Sequence, residues 1–244
     1  MQVEIKDLMK KYGNQEVYAV ANLSIKINSG EIYGFVGPNG AGKSTTIKCL
    51  VGILPFSSGD ILADGISIKT DPLKVKSMIG YVSDNHAVFE QLTGYEYVNH
   101  IANLYKVSKE DREERCQRLL KIFQMEESFN APIKSYSHGM KQKIMVIASL
   151  IHEPKLWVLD EPLTGLDPQS AYQLKKVMRE HADKGNIVFF SSHILDVVEN
   201  LCNRCGIIEH GSLKGEFNLK ELKKNNESLE NIFMHELNNY SEGE

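Results

Sequence analysis

Ile32-Tyr33-Gly34-Phe35-Val36-Gly37-Pro38-Asn39-Gly40-Ala41-Gly42-Lys43-Ser44 decides the fold class. Its first five residues form a nearly continuous apolar run, the pattern of a strand buried in a parallel sheet. The next eight satisfy G-x-x-x-x-G-K-[ST] at every position, and a helix opens near Lys43. Strand, glycine loop and helix in that order form the context in which this pattern holds phosphate. Each residue type has a chemical reason. Glycines let backbone N–H groups close around phosphate oxygens, and the helix start adds its positive end. Lys43 reaches the β- and γ-phosphates, and the Ser44 hydroxyl ligates magnesium. A glycine-rich turn without a ligand is the competing reading, and it would have to produce all eight positions and both flanking elements by chance.

A phosphate loop needs a magnesium-orienting carboxylate on a neighbouring strand. Leu156-Trp157-Val158-Leu159-Asp160-Glu161 supplies it. Four apolar residues bury the strand, Asp160 emerges at its C-terminal end, and Glu161 follows where it can orient an attacking water. Further out, Val3–Lys6, Leu23–Ile27 and Asp60–Ala63 alternate apolar and polar residues as half-buried strands do. Asn186–Phe190 is a second buried strand, separated from Leu156–Leu159 by a helical pattern around Ala171 to His181, so this part is a βαβ unit. From Thr93 to about Ile151 the pattern is helical: Leu119, Leu120, Ile122 and Phe123 recur at helix spacing, and Ser108 before Lys109-Glu110-Asp111 is an N-cap with acidic residues in the first turn. The expected architecture is α/β: a phosphate-loop core with a mainly parallel sheet, an N-terminal antiparallel β subdomain and a helical subdomain inserted at about 86–152. Residues 218–244 form a short C-terminal helical extension, with Leu229, Ile232, Phe233 and Leu237 on one face.

The 244 residues are 42% hydrophobic and 25% charged, which excludes fibrous and disordered classes. A net charge of −4 lacks the basic footprint of a nucleic-acid binder, so no nucleic-acid partner is expected. The longest apolar stretch, Ile144 to Ile151, stops at His152-Glu153-Pro154, short of a membrane span. Charges interrupt the first residues where a secretory leader would be apolar, which reads as a cytoplasmic chain. Cys202-Asn203-Arg204-Cys205 has metal-ligand spacing but no companion pair, and reads as two incidental thiols.

With these motifs in place, residues Val3 to Gly211 resemble the nucleotide-binding subunits of ATP-binding-cassette transporters. Tyr136-Ser137-His138-Gly139-Met140 resembles the family's Leu-Ser-Gly-Gly-Gln signature, Thr164-Gly165-Leu166-Asp167 the loop that crosses its dimer interface, and Ser191-Ser192-His193 its switch-histidine segment. Tyr12 matches the aromatic that stacks on adenine. The resemblance implies ATP and Mg2+ as cofactors. Tyr12, Gly37, Pro38, Asn39, Gly40, Ala41, Gly42, Lys43, Ser44 and Thr45 would bind nucleotide in one subunit, with Ser137 and Gly139 serving the nucleotide of its partner. Lys43, Glu161 and His193 would act in hydrolysis, and Ser44, Asp160 and Asp84 on the magnesium side. It also implies a dimer, with itself or a related ATPase subunit, driving a separate integral membrane subunit from the inner face of the membrane. Ser228–Phe233 resembles the ending of the drug and peptide exporter branch, while the residues alone also allow a helix that covers an apolar patch. Three departures stand out: Asp84 occupies the family's Gln position, and His138 and Met140 replace a Gly and a Gln of the signature. Asp84 either binds the ion or serves the membrane partner, and its position before the helical segment favours the second. A soluble cassette ATPase uncoupled from transport and a regulatory nucleotide-binding module without turnover remain the alternative functions.

Overall fold

A computed structural model describes residues 1–13, 16–85 and 89–238. The expected start of the helical subdomain at His86 and the end of the C-terminal extension, 239–244, lie outside the described residues, as does the side chain of Leu237.

The strands are β1 (Gln2–Lys10), β2 (Val20–Asn28), β3 (Ile32–Val36), β4 (Ser58–Ala63), β5 (Ile66–Ser67), β6 (Ile79–Val82), β7 (Leu156–Leu159), β8 (Ile187–Ser192), β9 (Arg204–Glu209) and β10 (Ser212–Asn218). The helices are α1 (Lys43–Leu50), α2 (Pro72–Ser77), α3 (Gly94–Leu104), α4 (Lys109–Phe123), α5 (His138–Leu150), α6 (Pro168–Asp183), α7 (Leu195–Leu201), α8 (Leu219–Lys224) and α9 (Leu229–Asn238).

Two sheets result, one in the order β2-β1-β4-β5 and one in the order β10-β9-β3-β8-β7-β6. The first is antiparallel, as the alternation in its strands demands. The second is parallel from β9 through β6, with β10 added antiparallel at one edge. Its inner strands β3, β7 and β8 are apolar and buried along their length because both faces are covered. Tyr33, Phe35, Val158 and Phe189 join the core shared with the antiparallel sheet and α1, whereas Ile32, Val36, Trp157, Leu159, Val188 and Phe190 join the core under the helices. The helix starts are capped locally. Thr93 and Glu96 form a reciprocal capping box at α3, and Ser108, Ser137 and Asp167 cap α4, α5 and α6.

Between β6 and β7 the chain forms α3, α4 and α5. The sheet register sets Val36 beside Ser192, Leu159 beside Phe190 and Val82 beside Leu159. The loops after β3, β6, β7 and β8 therefore leave the same C-terminal edge of the sheet, where open α/β sheets bind ligands. Past the resemblance at Gly211, the chain differs in detail from the sequence reading. β9 and β10 form an antiparallel hairpin around His210-Gly211, and two helices follow where one was expected. Leu229 of α9 is fully buried and Ile232 and Phe233 pack beside it, so this helix is docked.

Candidate functional site

The phosphate loop follows β3 and ends at Gly42, which caps α1 in a left-handed conformation at φ 105°. A Cβ there would lie 2.5 Å from the Ala19 carbonyl oxygen, so the position demands glycine for both conformation and space. Thr46 Oγ1 donates back to Gly42 O at 2.9 Å and steadies the turn. Lys43 is buried, and its ammonium folds over the loop to donate to Gly37 O at 2.7 Å and Pro38 O at 3.2 Å.

Asp160 and Glu161 extend from β7 into the same edge. Asp160 is fully buried. The Ser191 hydroxyl donates to its Oδ1 at 2.6 Å, while Oδ2 has no hydrogen-bond partner. Burial pushes the Asp160 pKa up; Ser191 and the approaching Ser44 hydroxyl oppose that rise, and the Asp84 charge adds to it. Glu161 adopts φ 49°, a left-handed conformation unusual for a residue with a side chain, and its N–H donates to Ser191 Oγ at 2.9 Å. Strain of this kind costs on the order of 1–3 kcal/mol and collects at functional sites. It aims the carboxylate between the Lys43 ammonium and the His193 ring. Glu161 Oε1 lies 3.7 Å from Lys43 Nζ, and Oε2 accepts from His193 Nδ1 at 2.9 Å.

A cavity of about 410 Å³ opens over these groups, lined by Tyr12, Ala19, Asn39 to Thr45, Asp84 and Glu161. The Tyr12 hydroxyl lies 3.2 Å from Thr45 Oγ1, which holds the half-exposed ring at the cavity wall. The residues present fit a magnesium ion. Asp160 Oδ2 is a buried carboxylate oxygen without a partner, Ser44 stands close to it, and Asp84 brings a second carboxylate. Among the described residues no three His, Cys, Asp or Glu side chains gather as a protein-only metal cage. Magnesium bound through one or two carboxylates with substrate phosphates needs no such cage.

Ser137 and Gly139 do not line this cavity. Ser137 caps α5 by accepting from Met140 N at 3.2 Å. Gly139 approaches the Gly165 carbonyl closely enough that a Cβ would sit 3.4 Å away. His138 packs against Gly165, where a Cβ would meet its ring at 2.4 Å. Lys143 and Asp167 approach at 3.8 Å, and the buried Gln142 donates to Pro162 O at 3.0 Å. The signature-like helix start and the 164–167 loop are thus one packed unit. Its serine N-cap lies outside the nucleotide cavity of its own chain.

Ser191 was missed as a site residue by sequence reasoning. Its segment was noted for His193 alone, although a hydroxyl beside two successive carboxylates on a neighbouring strand was a usable signal. The Tyr12–Thr45 contact and the His138–Gly165 packing carry no sequence signature, because both depend on loops meeting in space. Cys202 ends α7 and Cys205 lies buried in β9, where burial pushes both thiols up.

A protein-family model described as "ABC transporter" matches residues 20–164. The linearmycin resistance ATP-binding protein LnrL of Bacillus subtilis is 34% identical over 211 residues, covering 86% of this chain and 67% of LnrL. The bacitracin transport ATP-binding protein BcrA of Bacillus licheniformis is 34% identical over 225 residues, covering 92% of this chain and 72% of BcrA. A solved structure described as the ATP-binding subunit of an ABC transporter superposes with a TM-score of 0.90 at 30% identity, covering 97% of this chain and all of that one.

Proposed function

We propose, for a chain that belongs to the ABC transporter family, that it is the ATP-hydrolysing subunit of an exporter, dimerising around MgATP and driving a separate membrane-spanning subunit. The observation that carries the chemistry is Glu161, held between Lys43 Nζ at 3.7 Å and His193 Nδ1 at 2.9 Å on the wall of the phosphate-loop cavity. In this reading the loop N–H groups and Lys43 hold the β- and γ-phosphates, and Tyr12 stacks on the base. Ser44 and Asp160 hold magnesium, which supplies charge neutralisation at the phosphates when bound. Glu161 orients the attacking water and accepts its proton, while His193 fixes the carboxylate and steadies charge near the γ-phosphate. Ser137 and Gly139, packed against the 164–167 loop, offer the α5 start to the γ-phosphate held by a second subunit.

Asp84 lines the nucleotide cavity and raises the Asp160 pKa through its charge, which supports a role beside the ion over one confined to the membrane partner. No described helix is long and apolar enough to cross a bilayer; a separate membrane subunit is supported by the names of LnrL and BcrA, ATP-binding proteins of linearmycin resistance and bacitracin transport. Export is supported by the names of LnrL and BcrA, which refer to linearmycin resistance and bacitracin transport. A peripheral position on the inner face of the membrane follows from such an assembly. Residues 1–217 then form the ATPase unit and 218–244 an extension docked through α9. The test is phosphate release by the purified chain, alone and with the membrane protein that co-purifies from native membranes. ATP turnover that rises with that partner supports the proposal, and absence of turnover in both preparations refutes it.

A further inference from the structure

Sharing no lining residue with the nucleotide cavity, α4, the loop after α5 and the end of α6 enclose a second cavity of about 310 Å³. Its inner wall is apolar, from Leu119, Ile122, Leu150 and Val177, and Arg118, Lys155 and Lys184 stand at its rim. Glu153 and Glu180 also line it, each beside a cation of its own: Glu153 meets Arg115 at 3.1 Å, and Glu180 meets Lys176 at 3.9 Å. Among the described residues, Arg118, Lys155 and Lys184 have no ion-pair partner. The lining therefore carries a net positive charge, three cations against two carboxylates that are paired elsewhere.

His181 forms part of the cavity's inner wall. It lines the cavity, is 8% exposed, and its Nε2 is shielded from solvent without a hydrogen-bond partner. Its ring packs edge-on to Trp157 with centroids 5.6 Å apart, so it is fixed in place. Burial and the Lys184 charge push its pKa down to about 4, which keeps it neutral at pH 7, with one nitrogen donating and the other accepting. Its Nε2 is closed off from the open space, so the ring forms part of the cavity wall and reports on it without bonding an occupant. Apolar walls with a few converging polar groups are the ordinary composition of a small-molecule site.

We propose that this cavity binds a small amphipathic organic anion, its carboxylate or phosphate among Arg118, Lys155 and Lys184 and its apolar body against Leu119, Ile122 and Val177. An occupant would touch α4 of the helical segment and α6 of the sheet layer at once, so binding would stiffen the junction between them.

The experiment follows the His181 ring resonance of the full chain by NMR, assigned with His181→Gln, during titration with hexanoate, 1-hexanol and inorganic phosphate. Hexanoate should shift it saturably and more tightly than either other probe. Arg118→Ala and Lys184→Ala, both exposed and able to fold, should each weaken hexanoate by about two- to fivefold, the range of an exposed charge contact. Equal binding of 1-hexanol would show an apolar cavity without anion recognition, and equal binding of phosphate would show a charged rim without a pocket. Either result overturns the proposal, as does a ring resonance unmoved by all three, which would leave water as the occupant. None of these readouts depends on ATP turnover.

Discussion

The Ser191 hydroxyl donates to Asp160 Oδ1 at 2.6 Å and accepts from the Glu161 N–H at 2.9 Å, so one side chain on β8 fixes the Asp160 carboxylate and the Glu161 backbone that follow β7. Removing it leaves a fully buried carboxylate with neither oxygen bonded within the chain. Ser191→Ala should therefore destabilise the protein by about 1–3 kcal/mol, the cost of a buried group left unsatisfied. It should also raise the Asp160 pKa further, since this hydrogen bond is the first influence opposing burial. Denaturant midpoints with and without Mg2+ check both effects. The loss should shrink when the ion restores a partner to the carboxylate.

At the phosphate loop, Lys43→Ala should remove a charge-assisted phosphate contact worth roughly 1.5–3 kcal/mol, which is about tenfold to a hundredfold in ATP affinity. Its buried ammonium already spans Gly37 O and Pro38 O, so it is positioned before any ligand arrives. Calorimetric titration with ATP measures the change, and unaltered affinity would refute the phosphate-contact role.

Glu161→Gln keeps the side chain's length and removes its charge. If the carboxylate acts mainly as water attacks, ATP should still bind while turnover falls by at least about a hundredfold. ATP-dependent dimers should accumulate during size-exclusion chromatography. Because Glu161 is also held by His193 at 2.9 Å, His193→Ala should lower turnover while leaving ATP affinity within a few-fold of the parent.

How much of this was legible in the sequence depended on whether the signal was local. The phosphate loop could be read because strand, glycines and Lys43 are consecutive and their chemistry is fixed by residue type. The continuous apolar runs at β3, β7 and β8 announced a sheet covered on both faces, and both faces are covered. The β9–β10 hairpin went unread because its second strand, Ser212–Asn218, carries Lys214, Gly215 and Glu216 on an edge where burial imposes no clean alternation. Ser191 escaped for a different reason. Its partner Asp160 lies 31 positions away, and only the parallel pairing of β7 with β8 brings them together. His138 could be seen as a departure from the family pattern, but its packing against Gly165 required the fold of the 164–167 loop.

Acid should weaken the fold through two buried histidines. Burial, the larger influence, pushes His152 and His181 down to about 4 from an ordinary 6.5. The native state thus binds protons less readily than the unfolded chain, so the stability contribution is fully present above 6.5 and is lost as pH falls toward about 4. The loss should be on the order of 1–3 kcal/mol for each. His152 stacks on Tyr105 with centroids 3.6 Å apart, and its Nε2 lies 3.1 Å from Ile79 O. His152→Gln should lower stability at pH 8 through lost stacking while flattening the slope between pH 6.5 and 4. Urea midpoints across that range separate slope from level.

Asp84 tests the site where the sequence leaves its family. The residue is exposed in the loop after β6, its Oδ1 accepts from Ser83 Oγ at 3.2 Å, and it lines the same cavity as Ser44 and Glu161. Its charge pushes the Asp160 pKa upward, which places the two carboxylates within electrostatic reach of each other. Two carboxylates that repel in the absence of an ion attract a divalent cation more strongly than one does, because the cation relieves the repulsion as it binds. Asp84→Gln should therefore raise the Mg2+ concentration needed for half-maximal hydrolysis by the isolated chain several-fold. It should also stabilise the Mg2+-free protein slightly at pH 7, since Asp160 then ionises against less opposing charge. A residue that served only the membrane partner would leave both quantities unchanged and lower partner stimulation alone. Magnesium titrations of the isolated chain therefore separate the two roles.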